Sequence, residues 1–149
     1  MKFNKFAILL VTGVSLATVL TGCSSNDDSS STSSHVVHKL TKQQRINKEL
    51  KELKETYKSD AKVTYSKKYK AFMIEPTEQD FTANVVEAAA NGQTSEWNKF
   101  TKAMKNLSVT IGIDKKLPNT SVALVNPNNS KNLLYVAKNG ETTYDFLKK

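Results

Sequence analysis

The chain has 149 residues, 38% of them hydrophobic, with one cysteine and a formal net charge of +8. That length supports one domain with a modest core, and the apolar content excludes disorder in bulk. A single cysteine excludes a disulfide framework, and from Lys39 onward there is neither histidine nor cysteine. A Ser-His or Cys-His nucleophile pair therefore cannot be assembled in that part. The positive charge is concentrated: residues 35–70 hold eleven basic and four acidic side chains, residues 71–149 nine and eight.

The chain opens with Lys2 and Lys5, then an apolar run from Phe6 to Leu20, then Leu20-Thr21-Gly22-Cys23 and a serine-rich stretch. A charged start, a short apolar centre and small residues at the exit describe a secretory signal peptide. The run is about 15 residues and is broken by Thr12, Gly13, Ser15 and Thr18. A membrane-spanning helix needs about 20. Cysteine directly after Leu-Thr-Gly resembles the lipobox of bacterial lipoproteins. The resemblance implies cleavage before Cys23 and a diacylglyceryl group on its sulfur, so that lipid chains attach the protein to the membrane. The expected organisation is a signal over residues 1–22, a lipidated cysteine and flexible tether over 23–38, and a domain over 39–149. The expected location is the extracytoplasmic face of the cell membrane.

Ser24 to Ser34 is low-complexity polar sequence that cannot bury a core. His35 and His38, three apart, do not make a closed metal site, so no metal is expected. Thr41-Lys42-Gln43-Gln44 is a capping-box pattern. Behind it Ile46, Leu50, Leu53 and Tyr57 form one apolar stripe, which predicts a helix from about Lys42 to Lys58 packed on the domain's own sheet. Lys42, Arg45, Lys48, Lys51, Lys54 and Lys58, with Glu49, Glu52 and Glu55, are expected on its solvent faces. These six basic residues are the candidate site for an anionic surface.

Val63 to Tyr65 and Lys70 to Ile74 read as two strands joined at Ser66-Lys67-Lys68, with Pro76 ending the second. Thr77 is the expected cap of the next helix, with Glu78 and Asp80 suited to its positive end. Its buried stripe is Phe81, Val85, Ala88 and Ala89, and Asn91-Gly92 stops it. Thr94 or Ser95 caps a third helix with the longest apolar stripe in the chain: Trp97, Phe100, Met104, Leu107 and Ile111. A β-meander closes the chain, with strands at Val122 to Val125, Leu133 to Lys138 and Glu141 to Phe146. Asn139-Gly140 is the two-residue turn between the last two. That turn predicts Lys138 opposite Glu141, Tyr135 opposite Tyr144 and Leu133 opposite Phe146.

The order α-β-β-α-α-β-β-β predicts an α+β domain: an antiparallel sheet of about five strands with helices on one face. No P-loop, dinucleotide-binding or zinc-protease motif occurs, so no cofactor and no catalytic residue are expected. The one enzymatic alternative is a cell-wall glycoside hydrolase using Glu75, Glu78 or Asp80, and it requires a cleft with paired carboxylates about 5–10 Å apart. The leading expectation is a non-enzymatic binding module. Its partners are the membrane through Cys23, and anionic lipid, wall polymer or a membrane protein, rather than nucleic acid. In format the chain resembles small Gram-positive lipoproteins, some of which are prophage-encoded and exclude further phage DNA. Superinfection exclusion is therefore the second physiological expectation.

Overall fold

The computed structural model describes residues 39–148 apart from Gln79. The signal, the lipobox with Cys23, the serine-rich segment and both histidines lie outside the described residues. The first helix, α1, is Lys42–Thr56. Its capping box forms as the sequence implies: the Thr41 hydroxyl accepts from the Gln44 N–H at 3.2 Å, and the Thr41 N–H donates to Gln44 Oε1 at 2.8 Å. Strands β1 (Ala61–Ser66) and β2 (Ala71–Pro76) form an antiparallel hairpin. Thr77 does not cap the next helix. Its hydroxyl donates to the Ser59 carbonyl at 3.0 Å and ties the end of β2 to the turn before β1.

Helix α2 covers residues 82–90, a π-helical stretch Thr82–Glu87 running into an α-helical turn Ala88–Ala90. The wider π turns bring Thr82 and Val86 inward beside Phe81, Val85 and Ala89, while Ala88 is only half-buried. Gly92, at φ +89°, ends the helix. The Gln93 N–H reaches the Ala88 carbonyl and the Gly92 N–H the Ala89 carbonyl, the bond pair expected of a left-handed C-terminal cap. Helix α3 is Ser95–Val109, continued by a π-helical segment Thr110–Asp114. Thr94 sits at its N-cap, but its side chain accepts no backbone N–H. Trp97, Phe100, Met104 and Ile111 are buried as the stripe predicts; Leu107 is only half-buried.

Strands β3 (Ser121–Asn126), β4 (Asn129–Lys138) and β5 (Glu141–Asp145) complete one sheet in the order β1-β2-β3-β4-β5. The α+β class and the five strands are as expected. Three pairings are antiparallel, but β2 and β3 run parallel. The reason is the connection. A fifteen-residue helix rises about 22 Å, the length of a six-residue strand, so α3 returns the chain to the end where β2 began.

The helices lie on one face of the sheet, over Val63, Phe72, Ile74, Val122, Leu124, Tyr135 and Ala137. The other face carries a row in register across all five strands: Thr64, Met73, Ala123, Val136 and Tyr144. The final hairpin departs from the expected register. Lys138 faces Glu141 and Ala137 faces Thr142, but a shift between Val136 and Ala137 then sets Val136 against Tyr144 and Tyr135 against Asp145. Tyr135 and Tyr144 therefore lie on opposite faces, and Tyr135 instead hydrogen-bonds Thr142 at 2.6 Å. Phe146 is not opposite Leu133. It lies in the terminal 3₁₀ turn Phe146–Lys148, edge-on to Trp97 at 4.9 Å.

Candidate functional site

The candidate basic surface is built on α1. Ile46 and Leu53 are buried and Leu50 is half-buried, which orients the helix by its apolar stripe. Lys42, Lys48, Lys51, Lys54 and Lys58 are exposed. Arg45 is not part of a free surface. Its guanidinium donates to the carbonyls of Leu40 at 2.9 Å and Lys116 at 3.3 Å, joining the start of α1 to the segment after α3.

The acidic residues of α1 also depart from expectation. Glu49 is not on a solvent face: it is 4% exposed and shares the buried side with Ile46 and Leu53. It is held there by Lys115, whose Nζ lies 3.2 Å from Glu49 Oε2 and 2.6 Å from Glu52 Oε2. Burial pushes the Glu49 carboxyl above its ordinary value, and the Lys115 charge only partly opposes this. For Lys115, burial acts downward but is outweighed by the hydrogen bond to Glu52 and the Glu49 charge, so its ammonium is held up. Burial and the nearby Glu49 charge both raise the Tyr57 phenol. Two of three glutamates are thus withdrawn into this clasp. The outer flank keeps Lys48, Lys51, Lys54 and Lys58 against Glu55, with Lys48 a loose 3.9 Å from Glu52.

Sequence reasoning missed Lys115 and the inward turn of Glu49. A signal existed: Glu49 stands three after Ile46 and four before Leu53, which is a stripe position. Its partner lies 66 residues away, and no local pattern names it.

The three carboxylates of the enzymatic alternative belong to the end of β2 and the turn after it. Glu75 faces the open side of the sheet, 3.9 Å from Lys62. Glu78 is half-buried, Asp80 is exposed, and the Asp80 carbonyl accepts the Asn84 N–H. A separate shallow groove of about 470 Å³ runs between α3 and the chain end, with Thr101, Lys102 and Lys105 on one wall and Thr142 and Lys148 on the other. Its one carboxylate, Asp145, is engaged by the Trp97 indole at 3.3 Å and the Leu147 N–H at 3.1 Å. Among the described residues no group of histidine, cysteine, aspartate and glutamate side chains is placed to hold a metal ion. No family model, no curated protein and no solved structure matches the chain.

Proposed function

We propose that this protein is a lipid-anchored, extracytoplasmic lipoprotein whose α+β domain is a non-enzymatic binding module at the cell surface. The observation that carries the reading is Leu20-Thr21-Gly22-Cys23: the chain's one cysteine, placed behind an apolar run and ahead of a serine-rich segment. Each buried CH₂ of an attached lipid contributes about 0.8 kcal/mol, and two chains make a durable anchor. Two structural facts are compatible with it. The described core contains no cysteine, and among the described residues no helix is long and apolar enough to cross a membrane. Attachment through Cys23 then needs no spanning segment.

The excess of lysine in residues 35–70 makes an anionic surface the partner class, with membrane lipid or wall polymer as the two sources. On this reading, membranes from cells expressing the full chain contain the protein with a diacylglycerol mass increment on Cys23. Cys23→Ser leaves the precursor unprocessed and without that increment. A wild-type protein that lacks the increment would sink the reading.

A further inference from the structure

Four large hydrophobic side chains are exposed among the described residues, and three of them gather at one end of the domain: Leu40 (45% exposed), Tyr69 (58%) and Ile113 (66%). A chain of hydrogen bonds holds the three segments together. Arg45 donates to the carbonyls of both Leu40 and Lys116, and the Lys116 N–H donates to the Ile113 carbonyl at 3.2 Å. The strand that follows joins the β1–β2 turn, the Ser121 N–H donating to the Lys70 carbonyl at 2.9 Å. This is also the end at which the described chain begins.

Lys67, Lys68, Lys70 and Lys116 are exposed around these apolar groups. Lys68 Nζ lies 5.1 Å from the centre of the Tyr69 ring. Among the described residues no carboxylate stands within ion-pair distance of these four lysines. The acidic residues of this end are Asp114 and Glu141, both exposed.

Isolated exposed apolar residues need no explanation. Here three segments far apart in sequence are brought to the same end, each with an apolar side chain among lysines. Tyrosine suits the headgroup layer of a bilayer, with its ring in an apolar zone and its hydroxyl in a wet one. Lysines at the same level meet anionic lipid. Residues 24–38 link this end to Cys23 in sequence, and on the reading of that serine-rich stretch as a tether, a coil of fifteen residues spans about 20 Å.

We propose that this end of the domain is a membrane-docking surface for an anionic bilayer. Leu40, Tyr69 and Ile113 enter the headgroup layer, and Lys67, Lys68, Lys70 and Lys116 face the lipid phosphates and carboxylates. The proposal rests on the reading of Cys23 as the lipidated residue and adds an orientation to it: the domain stands on its end. Helix α1 then points away from the bilayer. At 1.5 Å per residue Thr56, the last residue of α1, is about 21 Å beyond Lys42, more than twice the Debye length of about 8 Å at physiological salt. The outer flank of α1 is therefore not the contact.

The test uses the full chain as the cell processes it, mixed or reconstituted with vesicles. Mass spectrometry first reads whether Cys23 carries lipid. Reporter dyes are placed at Asn119→Cys on the docking end, at Asn91→Cys on the far end and at Lys54→Cys on the flank of α1. All three positions are exposed. Quenching by spin-labelled lipid is measured on anionic and neutral vesicles. The expected result is quenching at Asn119→Cys alone, on anionic vesicles, weakening with salt. Ile113→Glu, and separately Lys67→Glu with Lys70→Glu, lower the docked-to-undocked ratio about fivefold or more; these exposed positions leave the core untouched. Quenching at Lys54→Cys, equal quenching at all three sites, or none at any, overturns the proposal. So does binding to a soluble polyanion with none to anionic vesicles, which assigns this end to wall polymer. Unlipidated protein that still shows the Asn119→Cys quench sinks the anchor and keeps the docking surface. Lipidated protein without that quench does the reverse.

Discussion

Helices α1 and α3 are both fifteen residues long and both lie on the same face of the sheet. They are held there differently. Helix α3 buries Trp97, Phe100, Ala103 and Met104, and places the fully buried Ser108 where its hydroxyl accepts the Gly140 N–H at 2.8 Å. It is fixed by close packing, by that hydrogen bond to the last hairpin turn and by the Trp97 indole donating to Asp145 at the end of β5. Helix α1 buries only Ile46, Glu49 and Leu53 within its span, and polar contacts supplement its attachment: Lys115 on Glu49 and Glu52, and Arg45 on the Lys116 carbonyl. A helix rich in lysine cannot supply enough apolar surface, so charged groups complete its docking.

The comparison can be broken first on the α3 side. Met104 is fully buried, and Met104→Ala is expected to cost about 4 kcal/mol, within the range for buried methionine truncation. Leu107→Ala, at a half-buried position, should cost about 1–2 kcal/mol. Urea unfolding of the two variants measures both values, and equal losses would contradict the burial difference.

Next comes the clasp. Lys115→Ala leaves the Glu49 carboxylate buried without its cation. Breaking a buried pair costs about 3 kcal/mol at the low end of the range, and the low end applies because the Lys115 side chain is 32% exposed. Lys115→Arg should recover most of this. A smaller effect belongs to the first turn of α1. Thr41→Ala removes a capping-box hydroxyl and is expected to cost about 1 kcal/mol, seen as a lower melting temperature.

The smallest effect is a change of slope with pH. Burial raises the Glu49 carboxyl above its ordinary 4.5 despite Lys115, so the fold prefers the protonated form. The stability contributed by this preference is fully present below pH 4.5 and is lost as pH rises through the raised native value. Glu49→Gln removes that titration. The stability advantage of wild type over the variant should therefore shrink between about pH 4 and pH 7. Denaturant titrations at the two pH values check the sign, and an advantage that grows with pH would show that the ion pair outweighs burial.

Much of the fold was legible because its signals act over a few residues. Thr41 and Gln44, Asn91-Gly92, and Asn139-Gly140 with both φ values positive each name a cap or turn from adjacent groups. The stripe Trp97, Phe100, Met104, Ile111 named the buried side of α3. Where a second partner is distant, the reading fell short. Thr77 is an acceptable cap by type, yet the Ser59 carbonyl takes its hydroxyl. The Asn139-Gly140 turn set the first two pairs of the last hairpin, but the register shift beyond them places Tyr144 on the other face of the sheet.

The candidate site shows the same division. Composition and local pattern already place the lysines in residues 35–70, make Cys23 the one thiol, and orient α1 by an apolar stripe. Those are properties of composition and of a period of 3.6 residues. Tertiary packing alone sets β2 and β3 parallel, turns Glu49 inward to a lysine 66 residues away, and places Leu40, Tyr69 and Ile113 at the same end of the domain. The physical reason is the same in each case. Their positions are set by which distant segments pack together, and the free energy of that packing is shared over the whole core rather than carried in any one stretch of chain.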